Sequence, residues 1–293
     1  MPRPLSKHYV HKAGLTQVTG GILITISIDP VVFLNVRWYG IMVALAILVL
    51  VLWMLREARR EVNLSYDTVF TAALVGIPSG IVVSKLLHVI DNIVISKLHP
   101  ELALAGKVVD YTQYPELILS AGGLTIWGAV LGAALGLWVY SKVSKFQFGF
   151  FVDLIAPGVI LVQAIGRVGC TINGCCYGIP TSLPWGIVYT HPESYAPLGI
   201  AVHPTQPYEI IYNLLVFAVL LKLKGRFKPD GSLFLIYLSL YSLWRFGIDF
   251  IREGMPFLFG LHQAQVTALI VLAICISLLA YRTRRVRAEG DAV

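Results

Sequence analysis

Residues 151–178 read FVDLIAPGVILVQAIGRVGCTINGCCYG, and the fold turns on how they are understood. The fifteen residues from Phe151 to Ile165 carry one charge, Asp153. The next thirteen hold Arg167, Asn173, three cysteines and four glycines. An apolar run of about twenty residues can cross a bilayer as a helix, so a span is expected over 149–170. It ends in a permanently charged guanidinium and unusually free backbone. That combination is costly in lipid unless the polar groups find partners, and it points to a membrane protein with a polar site at one end of a helix.

The rest of the chain agrees. Of 293 residues, 57% are hydrophobic and 13% charged, against about 25% charged in soluble domains, and the mean hydropathy is +0.75. The net charge of +7 does not mark a nucleic-acid partner, because the basic residues sit in short clusters between apolar runs. The first apolar stretch, GGILITISIDPVVFLNV, is broken by Asp29-Pro30 and lacks the small-residue site of a cleavable signal. Cys170, Cys175, Cys176 and Cys275 are too few and too clustered for a disulfide framework. A zinc site would normally show two separated ligand pairs, so no metal and no cofactor are expected. The cysteines read as small residues that let backbone pack, with a redox or acyl-carrier role as the alternative.

Apolar runs mark about seven spans: 37–55, 68–90, 117–141, 149–170, 208–223, 232–252 and 263–281. The segments REARRE, SKVSK, KLKGRFK and YRTRRVRAEGDAV hold 3, 2, 4 and 4 of the 23 Lys/Arg, while 174–207 holds none. The positive-inside bias makes those four cytoplasmic and 174–207 extracytoplasmic. The N-terminus is then outside and the C-terminus cytoplasmic. The expected fold is an all-α integral membrane protein of about seven transmembrane helices, with a small extracytoplasmic head and an outer-leaflet cavity. With no long repeat or linker, 1–293 reads as one transmembrane domain: an extracytoplasmic segment 1–36, a head loop 174–207 and a basic cytoplasmic tail 282–293. Gly128, Gly132 and Gly136 form a ridge suited to close helix contact.

Charges inside spans cost at least about 2.5 kcal/mol at the centre, which makes them functional candidates. Tyr241, Arg245, Asp249 and Arg252 are spaced to share one helical face. Either Arg245 is neutralised by Asp249, or it stays free to hold an anion. Arg167 either snorkels to the interface or offers a donor fork to a phosphate, with the nearby glycines admitting close backbone approach. In HPTQPYE (203–209), His203 and Glu209 belong either to a proline-defined turn or to a hydrogen-bonding wall. A buried Glu209 calls for an arginine from another helix. GGLTIWGAVLG (122–132) places Trp127 among glycines, VRWYG (36–40) brings Arg37 and Tyr39, and Lys85 lies within the second helix. On the expected topology these groups share the outer half of the membrane and form a cationic site for an anionic lipid headgroup.

These motifs are familiar as a set. GRVGCTINGCCYG resembles the glycine-arginine signature of the bacterial prolipoprotein diacylglyceryl transferase family. VRWYG, GGLTIWGAVLG, HPTQPYE and YSLWRFGIDFIRE are similar to its other blocks, in the same order, over about 37–282. The resemblance implies a bacterial cell-membrane enzyme. It would transfer the sn-1,2-diacylglyceryl group of phosphatidylglycerol to the lipobox cysteine thiol of a preprolipoprotein signal peptide, giving a thioether and glycerol phosphate. It implies no metal, no cofactor and a monomer working on membrane lipid. By motif, Arg167 and Arg245 correspond to an essential phosphate-holding pair and Tyr241 to the helix-6 tyrosine. Tyr39, Asn173, Gly178, His203, Glu209, Asp249 and Arg252 also match motif positions. Many members carry histidine where this chain has Trp127, and tryptophan cannot take a proton from a thiol. The activating group is then His203 through water, Tyr241, Glu209 or positive potential. Lys85 and Trp127 are expected to contact substrate. The alternatives are a divergent lipid-binding paralogue and a lipid transporter, although the halves lack the matching broken helices of transporters.

Overall fold

The computed structural model describes residues 24–33, 36–61, 65–98, 100, 109–119, 126–144, 147–254 and 256–290. Seven helices dominate it: α1 (Trp38–Ala58), α2 (Tyr66–Leu98), α3 (Ile126–Ser144), α4 (Phe148–Asn173), α5 (Thr205–Leu223), α6 (Ser232–Ile248) and α7 (Gln263–Gly290). All except α3 contain a stretch long and apolar enough to cross a membrane; the apolar stretch of α3, Gly128–Ser144, is shorter. The protein is a helical integral membrane protein.

Several boundaries differ from those read in the sequence. In the span expected over 117–141, Pro115–Leu119 forms a 3-10 turn rather than α-helix, and the described α-helix is Ile126–Ser144. α2 runs 33 residues with Pro78 inside it, about 50 Å at 1.5 Å per residue and longer than a bilayer core. α5 begins at Thr205, with Pro207 in its first turn, where a missing N–H leaves no ladder bond unmade. The basic segment after 281 continues α7 to Gly290.

The connections also contain strands that apolar periodicity did not reveal. β1 (Ile24–Ile26) pairs in parallel with β4 (Ile187–Tyr189), which pairs antiparallel with β5 (Ala201–Val202). β2 (Val31–Phe33) pairs with β3 (Val36–Arg37), and β6 (Pro256–Leu258) with β7 (Leu261–His262). Runs of two or three residues are too short to show a period of two. Ile187, Tyr189, Ala196 and Val202 form a small apolar core beneath the three-stranded sheet.

The chain divides into two compact units. One comprises the described residues up to Met54 and those from Gly149 onward; the other is Leu55–Phe148. In the first, Ala156 and Ile160 of α4, Val216 and Leu220 of α5, and Leu233 and Tyr237 of α6 form the buried core. α1 crosses α4 closely at two glycines. A Cβ on Gly158 would lie 2.7 Å from Cδ1 of Trp53, and one on Gly169 would lie 2.9 Å from Cβ of Met42. The Trp53 indole donates to the Leu154 carbonyl at 3.0 Å, so its buried polar edge is satisfied. In the second unit, α2 and α3 pack through the expected small-residue ridge. A Cβ at Gly132 or Gly136 would run into Ser79; van der Waals contact at this range holds helices together in lipid.

Candidate active site

α4 carries Arg167 to its C-terminal turns, where the side chain is 10% exposed. Its Nη2 pairs with Oε1 of Glu209 at 2.9 Å, and Glu209, on the first turns of α5, is 4% exposed. The cross-helix arginine–glutamate pair expected from burial is therefore present. The other arm, Nη1, points at Sγ of Cys170, 3.8 Å away. Removing one partner of such a buried pair costs about 3–5 kcal/mol, whereas an apolar replacement of both is often neutral. Stability alone therefore gives little reason for the pair, and its position at the mouth of several motifs becomes informative.

On α6, Arg245 Nη2 meets Asp249 Oδ1 at 3.0 Å. Arg245 is thus paired, while its Nη1 is buried with no hydrogen-bond partner. The second Asp249 oxygen lies 3.9 Å from Nδ1 of His262. The single helical face expected from Tyr241 to Arg252 stops short. α6 ends at Ile248, Asp249–Ile251 is a 3-10 turn, and Arg252 is extended at φ −101°, ψ 141°. That extension lets Arg252 bridge to Gly178. Among the described residues no carboxylate lies within ion-pair distance of Arg252. Tyr241 lies in the combined field of Glu209, Arg167, Arg245 and Arg252, which places these groups in one constellation. Three guanidiniums face two carboxylates, leaving a positive surplus and unspent donors, as an anion site requires.

Gly178 is fixed by contact on two sides. Its N–H donates to the His203 carbonyl, and Ile179 N–H to the Ile251 carbonyl. A Cβ there would lie 2.5 Å from Cβ of His203 and 2.6 Å from the Ile251 oxygen. Only glycine lets the three segments close. Burial lowers the His203 pKa from its ordinary value, and its Nδ1 is buried without a partner.

Asn173 and Arg37 form a different tie. Arg37 Nη1 donates to Asn173 Oδ1 at 3.2 Å and to the Glu193 carbonyl at 3.1 Å, and its guanidinium lies 4.7 Å from the centre of the Tyr195 ring. Arg37, expected among the free cations, is committed to anchoring the start of α1 on the 174–204 connection. Tyr39, the second residue of α1, lies in the field of Arg167 and three thiols. Lys85 and Trp127 belong to the Leu55–Phe148 unit; Lys85 Nζ lies 5.9 Å from the centre of the Tyr111 ring, and the side chain of Trp127 falls outside the described residues.

Several buried polar groups escaped the sequence reading. Gln206 donates to the Cys175 carbonyl at 2.7 Å, and Tyr189 donates to the Thr171 carbonyl at 3.0 Å. Asn213 is fully buried with neither amide atom partnered, and Ser242 and Trp244 each bury an unpartnered polar atom. A lone amide in an apolar span was the available signal. The cysteines, close in sequence, also converge in space: the chain reverses at Gly174 (φ 70°) and Cys176 (φ 64°), bringing the sulfurs of Cys170, Cys175 and Cys176 within 4.8 Å of one another.

Comparison with known proteins identifies the family. A family model described as prolipoprotein diacylglyceryl transferase matches residues 25–281. The chain is 47% identical to a phosphatidylglycerol–prolipoprotein diacylglyceryl transferase of Dehalococcoides mccartyi, over 91% of this chain and 98% of that one. It is 34% identical to the Clostridium tetani protein of the same name, over 76% of this chain and 85% of that one. With the Nostoc protein it shares 33% identity over 92% of each chain.

Proposed function

The chain belongs to the prolipoprotein diacylglyceryl transferase family, and on that premise we propose how its own residues carry out the transfer. The protein is a membrane transferase that moves a diacylglyceryl group from phosphatidylglycerol to a prolipoprotein. The acceptor is the lipobox cysteine thiol. Its sulfur attacks the glycerol carbon bearing the phosphate ester, and a C–S bond forms as the C–O bond breaks. The electron pair leaves on the oxygen of glycerol phosphate, and the thiol proton passes to a base. The step needs the leaving phosphate neutralised where water is scarce, and guanidiniums held in place beforehand do this without reorganising.

Arg167 and Arg245 hold the phosphate. Glu209 and Asp249 set the planes of these forks and prevent either from turning into lipid. Arg252 supplies the uncompensated charge. Tyr241, between them, donates to a phosphate oxygen. Neutral His203 accepts the thiol proton. Gly178 and Asn173 fix the connection that brings His203 and the start of α1 to the site, and Tyr39 borders the lipid. The protein works as a monomer, with its C-terminus cytoplasmic and the 174–207 connection outside.

The observation that carries this reading is the buried, partly unsatisfied pair Arg167–Glu209 and Arg245–Asp249, with Arg252 beside it. The test is transfer of labelled diacylglyceryl from phosphatidylglycerol vesicles to a lipobox peptide. Arg167→Ala and Arg245→Ala are expected to abolish transfer while still inserting in the membrane. Full activity in both would place the site elsewhere.

A further inference from the structure

The three thiols beside Arg167 are unused by this mechanism. Cys170 is buried and Cys175 and Cys176 half-buried, all unoxidised. Their sulfurs lie within 4.8 Å of one another. Zinc–sulfur bonds of about 2.3 Å put sulfurs on one tetrahedral ion about 3.8 Å apart, so small side-chain adjustments close the cluster on an ion. The backbone is already committed to this shape. Gln206 holds the Cys175 carbonyl at 2.7 Å, and Thr205 Oγ1 donates to the Cys176 carbonyl at 2.6 Å. Cys176 sits in the left-handed region at φ 64°, a conformation non-glycine residues adopt at some cost. Among the described residues no histidine or carboxylate joins the three sulfurs as a fourth ligand. A zinc site with three protein ligands and an open fourth position is the catalytic rather than the structural pattern.

We infer that Cys170, Cys175 and Cys176 bind a divalent zinc-like cation, and that the acceptor thiol of the substrate takes its fourth position as thiolate. The inference rests on the transferase reading above and deepens it. A thiol coordinated to such an ion gives up its proton, and here the proton goes to His203. The coordinated sulfur then forms the C–S bond, and the C–O electron pair departs on glycerol phosphate; the ion neither gains nor loses electrons. Four thiolates on a divalent ion leave two negative charges, and the Arg167 guanidinium stands against the cluster. Because Cys170 Sγ is 3.8 Å from Arg167 Nη1, sulfur held on this cluster and phosphate held on Arg167 would be neighbours. The ion would supply the thiol activation that Trp127 cannot.

The test uses the full chain, purified reduced in detergent, with Co(II) as a spectroscopic probe. One equivalent is expected to give a thiolate-to-cobalt charge-transfer band and strong visible bands in the wild type. Cys275→Ser, which alters the remaining cysteine, buried in α7, is expected to match it. Cys175→Ser/Cys176→Ser is expected to lose the bands. A lipobox peptide should shift the visible bands, and the same peptide with serine for cysteine should not. Stripping the metal should lower transfer at least about tenfold, and one equivalent of Zn(II) should restore it. Absent bands, or bands unchanged in the double variant, overturn the site. Bands that ignore the peptide thiol overturn its coordination. Full transfer by the stripped chain overturns the inference and leaves the transferase reading standing. Normal metal bands with no transfer to the peptide overturn the transferase reading instead.

Discussion

At the scale of single residues, the two arginines differ in what they lack. Arg167 has a buried carboxylate on one arm and a thiol on the other, while Arg245 has a carboxylate on one arm and nothing on the other. Lysine at either position keeps the charge but loses the fork, so Arg167→Lys and Arg245→Lys are each expected to cut transfer by about 10²-fold or more, measured as kcat/KM on vesicles. Glu209→Ala strands a buried guanidinium and is expected to cost about 3–5 kcal/mol, read as a lowered thermal midpoint in detergent. Burial lowers the His203 pKa, so the folded state binds a proton there less readily than the unfolded chain. This contribution to stability is complete above about pH 6.5 and is lost as pH falls below that value. Thermal midpoints taken from pH 7.5 to 5 should fall less steeply for His203→Gln than for the wild type; parallel curves would remove His203 from the account.

At the scale of elements, the site is built from the ends of helices and the short segments between them. Gly178 lies where three such segments meet. Gly178→Ala forces its Cβ onto the Ile251 carbonyl and His203 and is expected to cost about 1–3 kcal/mol. Gly166→Ala, on α4, meets nothing within 4 Å and should leave the thermal midpoint unchanged or raised. If the two variants melt alike, the packing account of Gly178 fails. The same distinction explains what could be read in the sequence. Helices α1, α4 and α6 announced themselves because long apolar runs have no other stable form in lipid. The Arg167–Glu209 pair was foreseeable because a buried carboxylate must find a cation. The break of α6 at Ile248 was not, because i+4 and i+3 spacing continues through a 3-10 turn that only tertiary contact imposes. The sheet of β1, β4 and β5 was equally hidden: its strands are two or three residues long, and β1 and β4 are far apart in the chain. The convergence of the thiols depends on two left-handed residues, of which Gly174 is a permissive type and Cys176 is not.

At the scale of the whole molecule, the clustered Lys/Arg are the basis for the proposed orientation, with the C-terminus cytoplasmic. A fluorescent protein that matures only in the cytoplasm, fused after Val293, is expected to be bright, and a dark but inserted fusion would reverse the assignment. The parallel pairing of Ile24–Ile26 with Ile187–Tyr189 has a consequence in time. The two strands are about 160 residues apart, and at ribosomal rates of about 5–20 residues per second the first waits on the order of ten seconds for its partner to be made. Throughout that interval β1 is an open edge, and α1 to α4 are synthesised before it can be covered. Arg245 and Arg252 emerge later still, so the proposed phosphate-holding site is among the last parts of the chain to be assembled.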